Sequence, residues 1–312
     1  METQVLNEPN KSKVGVDKQK INPFLWFDSN AEEAANFYIS VFNNTKITSI
    51  NRYSEAGANA SGQQAGSVMT VAFHIEGYEF VAINGGPVFQ INPSVSFFVN
   101  CHSVEEIDSL WAKLSKNGTV MMELDKYPFA EKYGWIQDPF GVSWQLIMQD
   151  REQKITPCLM FSGSQHLKAE EAILFYLSVF SGSEIVQIER YVAGQGPEGA
   201  VVHCKYTLNG QEFVAMDSHE YMPIDFNPAI SMVVNCDTQD EIDHFWEKLS
   251  EGGDERAQQC GWLQDKYGLS WQIVPSNLSQ FMSTPGKSEK AMSAILQMKK
   301  IDIKALQQAT EQ

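Results

Sequence analysis

The chain has 312 residues, long enough for two domains of ordinary size, each with its own core. Hydrophobic residues make up 43% and charged residues 20%, the balance of a soluble globular fold rather than a disordered or fibrous chain. Lys and Arg total 23 against 39 Asp and Glu, a net charge of −16 with no basic stripe, which argues against nucleic acid as a partner.

No run of about 18 apolar residues is present, and the opening METQVLNEPNKSKVGVDKQK lacks the apolar centre of a signal peptide, so a cytoplasmic protein without a membrane partner is expected. The five cysteines, Cys101, Cys158, Cys204, Cys236 and Cys260, are odd in number and lack CxxC spacing. Reduced thiols are expected, with neither a disulfide framework nor a zinc cage.

Taken in chain order, residues 1–20 read as a disordered N-terminal extension. Ile21 to Phe27 is an apolar run closed by Asp28-Ser29-Asn30, a turn cluster that also offers a helix N-cap. Ala34, Ala35, Phe37, Tyr38, Val41 and Phe42 then fall at the three-and-four spacing of a helix packed on a sheet. Strands follow from Lys46 to Tyr53, Ser67 to Ile75 and Glu79 to Ile83, with Glu76–Gly77 as a tight hairpin and Ser54 to Gln64 as a polar loop. A second unit opens at Pro93 with SVSFFV and continues into a helix from about Val104 to Lys116. Ser103 with Glu106 forms its capping box, and Asn117–Gly118 its end. Tyr133 to Gln137 and Val142 to Met148 are strands joined by the reverse turn Asp138-Pro139-Phe140-Gly141.

The whole scheme then repeats. INPFLWF…AEEAANFYISVF is answered by ITPCLMF…AEEAILFYLSVF, with Phe37–Tyr38 recurring 138 residues later at Phe175–Tyr176. The offset shortens to 135 at Asn92–Pro93 and Asn227–Pro228, and to 127 where GWIQDPFGVSWQ returns as GWLQDKYGLSWQ. Two domains of paired βαβββ units follow, at 21–150 and 154–275. Residues 276–312 form a tail whose Ala291, Ile295, Met298, Ile301, Ile303 and Leu306 suit one or two helices bracing the pair.

The FY-x-x-VF helix ending, the NPxxSxxV strand and the GW-x-QD-x-x-G-x-SWQ hairpin resemble the PhnB-like branch of the vicinal-oxygen-chelate superfamily, often labelled 3-demethylubiquinone-9 3-methyltransferase-like. The resemblance implies an α+β fold of four βαβββ modules forming two half-open cups, and two fused copies acting as an intrachain pseudo-dimer, with room for a further homodimer. Methyl transfer is not implied, because nothing resembles the Gly-rich loop of a methyl-donor-binding fold. Metal-dependent relatives place His, Gln or Glu ligands at positions that fall here near Pro23 and Pro157, at Ser94 or Ala229, and at Gln145 and Gln272. Proline, small residues and neutral amides are poor metal ligands. The six histidines form no HxH or HxxxH pair and none matches a histidine of the other copy, so neither metal nor cofactor is expected.

Period-two alternation nominates the cup faces. The first cup is expected to present Trp135, Gln137, Ser143, Gln145, Ser96, Phe98, Leu25 and Phe27. The second is expected to present Trp262, Gln264, Ser270, Gln272, Ser231, Val233, Leu159 and Phe161. An aromatic wall with a few neutral hydrogen-bonding groups suits a flat or amphipathic small molecule, while Ser and Gln satisfying one another in a filled core gives the same pattern. Cys260, Asp217 and His219 break the symmetry and form a candidate nucleophilic set in the second copy. Three functions stay open: a metal-independent small-molecule binding protein, an enzyme acting through the second domain, and a module whose cups are filled.

Overall fold

The computed structural model describes residues 19–283 and 286–311. Most of the expected N-terminal extension lies outside the described residues. Gln19 and Lys20, assigned to that extension, are already tied in: Glu79 N–H donates to Gln19 Oε1 at 2.8 Å and Asn235 N–H to the Lys20 carbonyl at 2.9 Å.

Four modules follow one another. The first comprises β1 (Ile21–Phe27), α1 (Ala31–Val41), β2 (Lys46–Arg52), α2 (Glu55–Ser61), β3 (Val68–Ile75) and β4 (Tyr78–Asn84). The second comprises β5 (Val95–Cys101), α3 (Val104–Leu114), β6 (Thr119–Tyr127), β7 (Ala130–Gln137) and β8 (Ser143–Met148). The third comprises β9 (Ile155–Phe161), α4 (Ala169–Val179), β10 (Glu184–Arg190), β11 (Val201–Leu208) and β12 (Gln211–Asp217). The fourth comprises β13 (Ile230–Cys236), α5 (Gln239–Ser250), β14 (Trp262–Gln264) and β15 (Ser270–Pro275). The tail adds α6 (Leu278–Ser283), α7 (Ser288–Ile295) and α8 (Ile303–Glu311).

The two copies do not each build their own sheet. The first module joins the fourth in a seven-stranded sheet, ordered β14-β15-β13-β1-β4-β3-β2 and here called sheet A. The second and third modules join in an eight-stranded sheet B, ordered β10-β11-β12-β9-β5-β8-β7-β6. The seams are antiparallel pairings of β1 with β13, Pro23 opposite Met232, and of β5 with β9, Phe97 opposite Pro157. The expected assignment of one cup to each copy is therefore corrected: each concave face draws one module from each copy, and the fusion ties the copies together through backbone hydrogen bonds.

Local chemistry accounts for the elements. Glu76 and Gly77 both have positive φ, 52° and 83°, as do Asn209 and Gly210, which gives the tight hairpins their twist. The Ser103–Glu106 box forms, with Ser103 Oγ accepting from Glu106 N–H at 3.2 Å and Glu106 reaching back to His102 N–H at 2.8 Å. Asn30 gives α1 no side-chain cap. Its first N–H instead donates to Asn84 Oδ1 at 2.8 Å, a cap supplied by the end of β4. The polar loop expected after Tyr53 contains α2, capped by Ser54 and rich in alanine. Helices α1, α3, α4 and α5 cover the outer faces of the sheets, where Trp144 and Trp271 are buried in one continuous core.

The third module has no helix matching α2, and the fourth has a short 3₁₀ turn, Glu255–Ala257, where the second has β6. The tail compensates. At Gly134 an added Cβ would lie 2.6 Å from the Trp111 ring and 3.0 Å from Leu124 of β6; at the matching Gly261 it would lie 3.2 Å from Ile301 of the tail. Cys260 and Gly261 donate to the Met298 and Lys299 carbonyls at 2.8 and 2.7 Å, so the tail runs along β14 as β6 runs along β7.

Candidate functional site

The concave face of sheet B is built on the inward residues of β9, β5, β8, β7, β11 and β12. Phe98, Tyr133, Cys158 and Val214 form a buried cluster against which Met122, Tyr127, Trp135, Ile147 and Met216 pack. Gln145 is 1% exposed and fully engaged: Tyr133 Oη donates to its Oε1 at 2.7 Å and its Nε2 donates to Ser96 Oγ at 2.8 Å. Trp135 Nε1 donates to Ser143 Oγ at 2.6 Å. Burial pushes the Cys158 thiol up to about 12, so it behaves as a small apolar group. At this end of the cup, Gln145 and Ser96 satisfy each other, and Ser143 is engaged by Trp135.

The other end is more polar. Thr156 is 3% exposed and its hydroxyl has no hydrogen-bond partner. Glu212, on the neighbouring strand, accepts Lys205 Nζ at 2.6 Å on one carboxylate oxygen, while the other is buried and lies 3.9 Å from Arg151. His203 meets the edge of Phe98 at 6.1 Å, and burial lowers its basicity. Sequence reasoning missed this group, because Thr156, Lys205 and Glu212 sit in strands whose alternation shows a polar face without showing what it faces.

Sheet A differs. Its concave side carries Phe24, Val233 and Val274, joined by Val81, Ile83, Trp262 and the tail residue Leu278. Tyr53, Ala58 and Met69 are covered by Met282 and Met292 of the tail, and Ala56 N–H donates to Glu289 at 2.8 Å. Trp262 stands edge-on to Phe24 at 5.6 Å and to Trp26 at 6.3 Å. Gln272 Nε2 donates to Ser231 Oγ at 3.0 Å. Cys260 replaces Tyr133, so Gln272 has no tyrosine matching the one that bonds Gln145.

The expected inward residues of the last strands are where alternation puts them, with Ser231, Ser270 and Gln272 on sheet A and Ser96, Ser143 and Gln145 on sheet B. The opening strands are corrected. Leu25, Phe27, Leu159 and Phe161 lie in the core beneath the helices, and Phe24, Trp26, Cys158 and Met160 take the concave side. Both faces of these central strands are apolar, so their pattern carries no phase. Pro23 shares the outward phase of Leu25.

The motif residues Gln137 and Gln264 serve the reverse turns, donating to the Gly141 and Gly268 carbonyls, both at 2.9 Å. Asp265 accepts Tyr267 and Leu269 N–H on one oxygen, and Trp271 Nε1 and Tyr176 Oη on the other, at 2.8 to 3.1 Å. Asp138 does the same for Phe140, Val142 and Trp144. Burial outweighs these bonds and pushes both carboxyls up to about 6. Gln264 and Asp265 also line a polar cleft of about 450 Å³ on the outer rim, with Asp225 and Lys266. The QD-x-x-G-x-SWQ signature is thus a turn lock.

The candidate nucleophilic set is dispersed. Asp217 caps α4, accepting Ala169 N–H at 3.0 Å and Val201 N–H at 2.9 Å, the duty of Asn84 in the first module. It belongs to sheet B, whereas Cys260 precedes β14 at the edge of sheet A. Burial raises the Cys260 thiol, and its φ of 55° marks a turn. His219 is exposed against the Tyr191 ring at 5.6 Å. Neither Asp217 nor His219 is therefore placed to act as a base for Cys260.

A divalent metal does not fit the donors present at the centre of either concave face. They are amides and hydroxyls already bonded to one another, with apolar Phe24 and Cys158 on the opening strands. Among the described residues, no three His, Cys, Asp or Glu gather around a common point. No described helix is long and apolar enough to cross a membrane.

The family model described as 3-demethylubiquinone-9 3-methyltransferase matches twice, at residues 19–147 and 153–274. A putative 3-demethylubiquinone-9 3-methyltransferase, PhnB protein, from Bacillus cereus is 42% identical over 42% of this chain and 100% of its own, with a TM-score of 0.39. A Staphylococcus aureus protein is 30% identical over 43% of this chain and 100% of its own, with a TM-score of 0.18. Glyoxalase I from Zea mays covers 82% of this chain and 92% of its own at 11% identity, with a TM-score of 0.52, a likeness of fold. No curated protein matches the chain.

Proposed function

The chain belongs to the family described as 3-demethylubiquinone-9 3-methyltransferase, and from that premise we propose that it is a metal-independent small-molecule binding protein using the concave face of sheet B. The observation carrying this reading is the unequal cover of the two faces. The tail packs Leu278, Met282 and Met292 against sheet A, whose aromatic residues close on one another. Sheet B keeps half-buried Trp135, Ile147, Met216 and His203 around a buried apolar floor with few polar groups, the make-up of a ligand site. The methyl transfer in the family's description has no support in the dispersed polar groups, and catalysis by Cys260 with Asp217 and His219 is disfavoured by their separation.

A thermal-shift screen of aromatic, cationic and acidic compounds tests the proposal, since a ligand that binds the folded state raises its melting point. Met216→Arg is expected to abolish the shift of a hit and Gln272→Ala to preserve it. The reverse pattern moves the site to sheet A and overturns the reading. Protein purified without chelators is expected to carry no stoichiometric zinc, iron or manganese.

A further inference from the structure

Sheet B's concave face places Lys205 and Arg151 beside its acidic residue Glu212, where sheet A has Ala72 and, beside its own Glu79, His74. The hairpin turns Glu76–Gly77 and Asn209–Gly210 align the two sheets, so that Ala72 stands where Lys205 does and Thr70 where His203 does. The acidic member is common to both faces, as Glu79 beside Asn22 and as Glu212 beside Thr156. In sheet A the pair is closed, with Asn22 Nδ2 donating to Glu79 at 2.9 Å. In sheet B, Thr156 is 3% exposed with an unpartnered hydroxyl, and Arg151 reaches Glu212 at 3.9 Å, beyond hydrogen-bonding range. Lys205 is committed to the other oxygen of Glu212 at 2.6 Å. Two cations thus face one carboxylate within a protein of net charge −16.

We infer that the ligand of this face is an organic acid with an aromatic or branched apolar body, its acid group held by Arg151 and the Thr156 hydroxyl, with the Lys205–Glu212 pair beside them. Arginine and a hydroxyl donor recognise a carboxylate through charge-assisted hydrogen bonds, which are strong where water is largely excluded. The apolar body lies on Phe98, Val214 and Met216, which share the inward phase of Thr156 and Glu212 on neighbouring strands. The buried second oxygen of Glu212 adds selectivity. It needs a donor, which a hydroxyl beside the acid group supplies, so a 2-hydroxy acid fits better than the plain acid. The sign is opposite to the one the whole-molecule charge suggests, because the field at a half-buried site is set by the nearest groups.

The inference rests on the sheet B reading above, and its test separates the two. Four probes of one size, 3-phenyllactate, 3-phenylpropionate, 2-phenylethanol and 2-phenylethylamine, are titrated calorimetrically into the full chain and into Arg151→Gln and Thr156→Val. The expected order is phenyllactate tightest and phenylpropionate next, with the amine at least tenfold weaker than either acid. Arg151→Gln is expected to weaken both acids about tenfold or more and to leave phenylethanol within twofold. Thr156→Val, close to isosteric, is expected to do the same more mildly, with melting points of both variants confirming their folding. Amine binding equal to or tighter than acid binding, or acid binding indifferent to Arg151→Gln, overturns the inference and leaves the sheet B site standing. Failure of all four probes to bind overturns the acid-with-aromatic-body assignment, and a library hit of another class that Met216→Arg abolishes then keeps the site alone.

Discussion

The two concave faces descend from one repeated sequence and share their inward serines and glutamines, yet they are finished differently. On sheet B, Tyr133 and the β6–β7 hairpin complete the bonding of Gln145 and cover Phe98. On sheet A the hairpin is cut short, Cys260 replaces the tyrosine, and the C-terminal tail lies along β14 and over the sheet instead. The difference teaches that the motif residues fix the sheet edge and its turns, whereas the cover each face receives decides what it can hold. A loop shortened in one copy is compensated by chain from elsewhere, because exposed apolar strands and unpaired edges are costly.

Removing the tail breaks that comparison with the largest effect. Ile295, Ile301 and Leu306 are nearly or fully buried, and at about 1.5–3 kcal/mol each their loss costs roughly 5 kcal/mol or more. Truncation after Ser276 is expected to lower the melting temperature by about 10 °C or more, or to yield insoluble protein. A calorimetric scan that matches the full chain would show the tail to be ornamental.

The turn locks come next. Tyr176 donates to Asp265, whereas the Tyr38 hydroxyl near Asp138 has no hydrogen-bond partner. Asp265→Asn is therefore expected to cost more than Asp138→Asn near neutral pH, about 2–3 kcal/mol against about 2 in denaturant titration. The pH dependence runs the other way from that of a surface ion pair. A carboxyl raised from 3.8 to about 6 binds its proton more tightly in the folded state. Its contribution is thus fully present below the unfolded pKa and is lost as pH rises through about 6. The advantage of wild type over Asp265→Asn should shrink by roughly 2–3 kcal/mol between pH 4 and pH 7. Growth of the gap over that interval would contradict the assignment.

A smaller effect separates the two glutamines. Gln145→Leu leaves Tyr133 Oη and Ser96 Oγ without their partners in the core and is expected to cost about 2–4 kcal/mol. Gln272→Leu releases Ser231 alone and is expected to cost about 1 kcal/mol. Equal losses on urea unfolding would remove the distinction between the two faces.

Much of the fold was legible because its signals are local or repeated. The Ser103–Glu106 box, the Glu76–Gly77 turn and the inward Ser143–Gln145 alternation each rest on a few neighbouring residues, and the repeat confirmed them twice. The partnership of modules was hidden, since tandem copies contain the same strands whether the first pairs with the second or with the fourth. The phase of β1 and β9 was hidden by apolar residues on both faces, which misplaced Phe27 and Phe161. Asp217 looked chemical because it replaces an asparagine, but its burial and two backbone N–H partners make it a helix cap. Arg151, Thr156, Lys205 and Glu212 converge through strand pairing across more than 50 residues, a proximity that spacing alone does not reveal.

The most direct test of the account is hydrogen–deuterium exchange of the full chain with and without a saturating hit from the ligand screen. Protection is expected over residues 95–101, 155–161 and 201–217, the floor of sheet B, with residues 21–27, 68–84 and the tail unchanged. Protection centred on residues 21–27, 262–275 or 278–301 would place the ligand on sheet A and contradict the account.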